Sequence, residues 1–247
     1  MHFFVKLVQA SLIFALLGPA IATHAEAAEI VKKAFPGVTI KKLDLQNAAG
    51  EVVIKGGAAE AGVTATKRKF DKGCTLKIEL EGDTLVVDNT NDDNDNDCEV
   101  DLSIALPRNV NLDLKIGAGD VNASGVAGEL EFKLGSGDLV VSNAALTAVD
   151  GKSGSGDITL SGSIAQGELK IGAGNATVNY TEAPGKGSLD IKLGTGNAIV
   201  NLPKDSKVKT SFRSALGSLT NEVGDTVNAP YTISGSAGVG DLTIKKM

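Results

Sequence analysis

The chain reads as an all-β solenoid, a stack of coils wound about one axis with a repeat of about 20 residues. Three observations predict this fold class. The first is a motif: Asp or Glu, any residue, Lys, any residue, Gly, a small residue, Gly, then Asp or Asn. It occurs at Asp113–Asp120, Glu131–Asp138, Asp150–Asp157, Glu168–Asn175 and Asp190–Asn197, and a sixth copy keeps only Gly238-Val239-Gly240-Asp241. The leading glycines lie 18, 19, 18 and 22 residues apart. A unit that short cannot bury its own apolar face and must stack on neighbours. The second observation is period-two alternation, as in Leu130, Phe132 and Leu134 against Glu131 and Lys133, which makes one face of a strand apolar. The third is punctuation by Gly, Asp and Asn, with no sustained 3.6-residue periodicity in competition.

Residues 1–27 read as a secretory signal. Lys6 precedes the largely apolar run Leu7–Leu17, and Ala25-Glu26-Ala27 is a small-x-small cleavage site, with cleavage after Ala25 as the competing choice. The run is too short to span a bilayer, and beyond residue 27 no apolar stretch approaches a span. Removal of the leader takes both histidines, His2 and His24, and leaves a chain with neither His nor Trp. The usual general base and commonest metal ligand are then missing, as are most rings on which sugars or bases could stack. The net charge of −6 argues against a nucleic-acid partner.

Residues 28–106 are expected to form a β-rich N-terminal part of the solenoid, and residues 107–247 its repeat-bearing part. After Pro36 the strand candidates are Val38–Ile40, Leu43–Leu45, Val52–Ile54, Val63–Phe70, Leu76–Leu80, Thr84–Val87 and Val100–Leu106. Asn47–Ile54 resembles a loose early copy of the repeat. Residues 88–99 are a polar acidic loop between two strands. Cys74 and Cys98 are the only cysteines; in an exported chain an even pair predicts one disulfide, contributing roughly 3 kcal/mol in the chain-entropy model. From Pro107 the repeats take over, interrupted by a less regular stretch after the corner Leu202-Pro203-Lys204-Asp205.

Each copy supplies two short strands and a tight corner. The corner glycines are Gly117 and Gly119, Gly135 and Gly137, Gly154 and Gly156, Gly172 and Gly174, and Gly194 and Gly196. Glycine suits such corners because it tolerates positive φ and close backbone approach. Stacked in register, Asp113, Glu131, Asp150, Glu168 and Asp190 would form an outward carboxylate column beside a lysine column of Lys115, Lys133, Lys152, Lys170 and Lys192. Like charges about 5 Å apart repel, so each column needs the other. Between them runs an apolar column of Leu114, Phe132, Leu169 and Ile191, with Gly151 as the exception. The corner column Asp120, Asp138, Asp157, Asn175, Asn197 and Asp241 reads as a turn device whose short side chains bond back to turn amides.

No catalytic and no cofactor-binding residues emerge. Asp93, Asp95 and Asp97 match the first three ligand positions of an EF-hand loop, but Cys98 stands where its Gly should be and Ile104 where its closing Glu should be. Calcium at those three aspartates is the leading metal option, and a row of calcium ligands along the corner column is the lesser one. The repeat is also unlike the nine-residue calcium roll, and its Gly-x-Gly elements precede strands, so they are not dinucleotide fingerprints.

The run Leu106–Val121, with Lys133–Leu139 and Ser153–Ile158, resembles the bacterial "putative adhesin" domain family, a family of unknown function related to the auto-transporter adhesin head domain. The likeness extends over roughly residues 38–246. It implies a single-stranded right-handed parallel β-helix in the cell envelope and no catalytic residues. The expectation is a non-enzymatic exported envelope or surface protein located in the periplasm, at the cell surface or outside the cell. It would present a rigid solenoid face to an envelope or surface component, either polysaccharide or protein. The rivals are a carboxylate-based polysaccharide-acting enzyme on a β-helix and an oligomerising envelope scaffold joined through open solenoid ends.

Overall fold

The computed structural model describes residues 28–91 and 98–247. The expected leader at 1–27 and the aspartates Asp93, Asp95 and Asp97 lie outside the described residues. In chain order the strands are β1 (Glu29–Phe35), β2 (Lys42–Ala49), β3 (Val52–Gly56), β4 (Ala61–Phe70), β5 (Cys74–Glu81), β6 (Thr84–Asn91), β7 (Cys98–Leu106), β8 (Asn111–Ala118), β9 (Val121–Ser124) and β10 (Ala127–Ser136). They continue with β11 (Leu139–Ser155), β12 (Ile158–Ala173), β13 (Ala176–Tyr180), β14 (Gly187–Thr195), β15 (Ala198–Leu202), β16 (Val208–Leu216), β17 (Leu219–Asn221), β18 (Tyr231–Val239) and β19 (Leu242–Lys246). The described residues contain no helix, and all 19 strands join one continuous sheet.

That sheet is a stack of coils paired in parallel. One wall runs β6, β2, β8, β10, the second half of β11, the second half of β12, β14, β18 and β16. The other runs β7, β3, β9, the first half of β11, the first half of β12, β13, β15, β19 and β17. Each coil contributes one strand to each wall. The alternating residues turned inward, such as Leu45, Leu114, Phe132, Leu169 and Ile191, are at most 1% exposed and fill a single core.

The order of coils departs from the order of the chain at both ends. The coil β2–β3 lies between β6–β7 and β8–β9, and the last coil of the chain, β18–β19, lies between β14–β15 and β16–β17. The irregular stretch after Leu202 is therefore itself an end coil. Gly217 at φ 153° stands at the corner-glycine position, but Ser218 replaces the Asp and hides the repeat.

The N-terminal end differs from the parallel stack the repeat predicts. There β5 pairs antiparallel with β6, β4 antiparallel with β7, and β1 antiparallel with β4. Strand β1 was not among the sequence candidates, whereas Val38–Ile40, which was, is irregular and leads into β2. The charged run Glu29–Phe35 alternates poorly, and only its pairing with β4 makes it a strand. A disulfide joins Cys74 to Cys98, with Cα atoms 5.6 Å apart, and ties the start of β5 to the start of β7.

Near the other end the core holds a polar contact that composition could not announce. The Tyr180 and Tyr231 hydroxyls meet at 2.7 Å, and Tyr231 donates to the Ile164 carbonyl at 3.1 Å. The Tyr180 O–H must then donate to the Tyr231 oxygen. Burial pushes the Tyr231 phenol up to about 12 and Tyr180 higher still.

Candidate functional surface

The two walls present unlike outer surfaces. On the first, the register stacks Asp44, Asp113, Glu131, Asp150, Glu168 and Asp190 in one column. Two strand positions on, Lys115, Lys133, Lys152, Lys170 and Lys192 stack in another. The columns cross-link in places. Lys192 lies 2.8 Å from Glu168 and 2.9 Å from Asp190, Lys170 lies 2.8 Å from Glu168, and Lys42 lies 3.1 Å from Asp113. Hydrogen bonds from Lys170 and Lys192 hold the Glu168 carboxyl down at about 2, and bonds to Glu168 and Asp190 raise Lys192. Side chains here are roughly a third to a half exposed, so solvent screens each pair and its contribution to stability is small.

The inward column between the charges explains Gly151. A Cβ there would lie 2.1 Å from the ring of Phe132. The phenyl ring occupies the space that a side chain at 151 would need. The end coil repeats the device: a Cβ at Gly235 would lie 3.2 Å from Phe212, its register partner.

The corners are built from backbone and short side chains. A Cβ on Gly137, at φ 116°, would stand 2.2 Å from the Gly119 carbonyl oxygen of the neighbouring coil, and the other glycines of that column repeat the geometry. The sequence predicts that the aspartates and asparagines that follow bond back to their own turns, and the structure corrects this. Each accepts from the backbone N–H of its counterpart in the next coil: Asp120 from Asp138 at 2.9 Å, Asp138 from Asp157 at 2.8 Å, Asp157 from Asn175 at 2.8 Å. Asn175, Asn197 and Asp241 extend the ladder to Ser218. Stacking turns a local turn preference into an inter-coil bond.

The second wall was not singled out from the sequence. Its outward residues form the columns Asn122, Val140, Thr159, Thr177, Ile199, Thr243 and Ser124, Ser142, then Ser161, Asn179, Asn201. Between Lys55 and Lys245, which close the second column, neither column carries a charge. Asn179 donates to Ser161 at 3.0 Å and Asn201 donates to Asn179 at 2.6 Å, so the amides are held in a ladder. The signal was present in Asn175-Ala-Thr-Val-Asn179 and Asn197-Ala-Ile-Val-Asn201, two period-two strands whose polar positions lack charge.

Concave features are shallow. A groove of about 420 Å³ runs past Lys115, Lys133, Gly117 and Gly135 on the charged wall. Another of about 510 Å³ lies under the segment Glu182–Lys186. The first is lined by lysines and no carboxylate, and the second by Glu182 and Lys186 at its rim segment. Among the described residues no three His, Cys, Asp or Glu side chains cluster as metal ligands.

Residues 94–245 match the family described as Toastrack DUF4097. The chain belongs to that family. A "putative adhesin" from Bacteroides fragilis has the same fold, with a TM-score of 0.55 at 12% identity, over 88% of this chain and 97% of that one. A "putative cell adhesion protein" from Clostridium sporogenes is similar over 89% of this chain and all of that one, at 16% identity and a TM-score of 0.43. No curated protein matches. The DUF4097 kinship agrees with the family resemblance read from the Gly-x-Gly-Asp corners.

Proposed function

We propose that this Toastrack chain is a non-enzymatic, exported envelope or surface protein of adhesin type. It binds through the uncharged wall, with an envelope polysaccharide or protein as partner and no nucleic acid. The right-handed winding of the coils belongs to the same proposal, since parallel strand crossovers within one sheet are right-handed in nearly all cases. So does the division into a leader at 1–27, a part at 28–106 carrying the acidic loop, and a repeat-bearing part at 107–247.

The observation that carries the reading is the contrast between the walls. On the first, lysines satisfy much of the carboxylate column. A carboxyl held at about 2, as in Glu168, is ionised at neutral pH and cannot act there as a general acid. The second wall repeats hydroxyl and amide groups coil after coil, at the spacing of about 4.8 Å set by parallel pairing. Its backbone is locked by pairing on both sides, so binding orders little further chain. The disulfide suits an oxidising compartment.

The test is retention of the purified protein on an envelope fraction from the producing cell. Wild type and Lys133→Ala should bind alike, whereas Thr177→Arg with Ile199→Arg should bind at least about tenfold more weakly with an unchanged circular dichroism spectrum. Equal binding by the arginine variant would remove the uncharged wall from the proposal. Failure of the wild type to bind would remove the proposal itself.

A further inference from the structure

Most glycines within the strands are demanded by their surroundings. A Cβ on Gly135 would stand 2.3 Å from a carbonyl oxygen of the neighbouring coil, and one on Gly172 would stand 2.5 Å from another. Gly62 in β4 differs. Its φ is not positive, and a Cβ there would meet only the Lys33 carbonyl oxygen, at an ordinary 3.5 Å. Glycine inside a strand weakens it and packs nothing, and it often marks a place where a ligand comes close. Packing gives no reason for a glycine at this position.

Gly62 faces outward, since Ala61 and Val63 on either side of it are buried. Its register partners are Ala105 on β7 and Ala34 on β1. This row of small residues floors a dent of about 400 Å³. The remaining lining is chemically one-sided. Thr64 and Ser103, themselves register partners, supply hydroxyls. Lys55 borders the dent from β3 and Lys32 from β1, on opposite sides, and both are exposed. Neither is in an ion pair among the described residues, and no carboxylate lines the dent. Lys33 borders it too, but its ammonium donates to the Ile78 carbonyl at 2.5 Å. Asp101, two positions from Ser103, is held by Arg68 at 2.6 Å.

Two ammonium groups without counter-charge, with hydroxyl donors beside them, suit a carboxylate or a phosphate. The dent also lies on the columns of the uncharged wall. Ser103 and Thr64 continue the column of Asn122 through Val53, and Lys55 is the register partner of Ser124. We propose that the dent is an anion subsite, taking a carboxylate or phosphate carried by a polysaccharide whose neutral sugars lie along that wall. The placement of the neutral sugars rests on the binding role proposed above. Gly62 keeps the backbone face open so that the charged residue of the glycan can approach the sheet. Lys32 and Lys55 supply the charge that the rest of the wall lacks.

An amide chemical-shift titration of the purified protein, followed at Thr64 and Ser103, tests this with short soluble probes. The acids are trigalacturonate and glycerol phosphate; carboxyl-reduced trigalacturonate and glycerol are their neutral counterparts. At least one acid should bind about tenfold or more tightly than its counterpart, and its affinity should fall with added salt. Which acid does so identifies the source of the anion. Lys32→Gln with Lys55→Gln should weaken that binding by at least about tenfold. Gly62→Val should weaken it as much by filling the dent, while its melting temperature stays level or rises, because valine suits a strand. Acids that bind no better than their neutral counterparts, or a Gly62→Val variant that binds the favoured acid like wild type, would overturn the proposal. These probes need no envelope fraction, so the two readings fail separately. Retention on the envelope without acid binding would leave the uncharged wall standing and remove the anion subsite.

Discussion

At the residue scale the corners separate what is demanded from what is decorative. Gly137 combines positive φ with a would-be Cβ 2.2 Å from a backbone oxygen that cannot move without its coil. Lys133 is about half exposed and reaches Glu131 only at 3.5 Å. Gly137→Val should therefore destabilise by on the order of 3 kcal/mol or more, through strain and overlap together. Lys133→Ala should change stability by less than about 1 kcal/mol, since it also removes a charge stacked between Lys115 and Lys152. Chemical denaturation of the two variants checks the order, and a larger loss for Lys133→Ala would mean that the lysine column is structural.

At the element scale the coils are coupled through shared volume. Phe132 and Gly151 are register partners on β10 and β11, and the ring of one fills the place of the other's side chain. Gly151→Ala alone should cost about 1 to 3 kcal/mol by overpacking. Phe132→Leu alone should also destabilise, by leaving a void. Together they restore the leucine-type column seen at Leu114 and Leu169, and the double variant should be more stable than the sum of the single losses predicts. A double-mutant cycle measured by urea unfolding reads this coupling directly. Additive losses would show that the ring and the glycine are independent.

At the scale of the whole molecule the threading of the ends matters most. The last coil of the chain, β18–β19, bridges β14–β15 to β16–β17. Removing residues 231–247 should therefore release β16 and β17 as well, although they precede the cut. Hydrogen exchange on the truncated chain should find the amides of residues 208–221 unprotected, while those of β8–β12 keep their protection, as expected where coils interact chiefly with neighbours. Retained protection at 208–221 would mean that this coil finds another partner.

The sequence by itself determined the all-β class, the repeat length and the stacking register of the charge columns. A motif that recurs with the same internal spacing leaves one way to align its copies. It also marked Gly151 as an exception, Asn47–Ile54 as an early copy, and Cys74 with Cys98 as partners. Only the tertiary structure decided the order of the coils at the two ends, because nothing local in β18 or β2 distinguishes an inner coil from an outer one. The direction of the Asp and Asn hydrogen bonds was likewise hidden, since a side chain that can bond its own turn or the next is directed by what stacks above it. The antiparallel cap of β1, β4 and β5 and the uncharged wall arise for the same reason: each is made by the juxtaposition of strands that the chain keeps far apart.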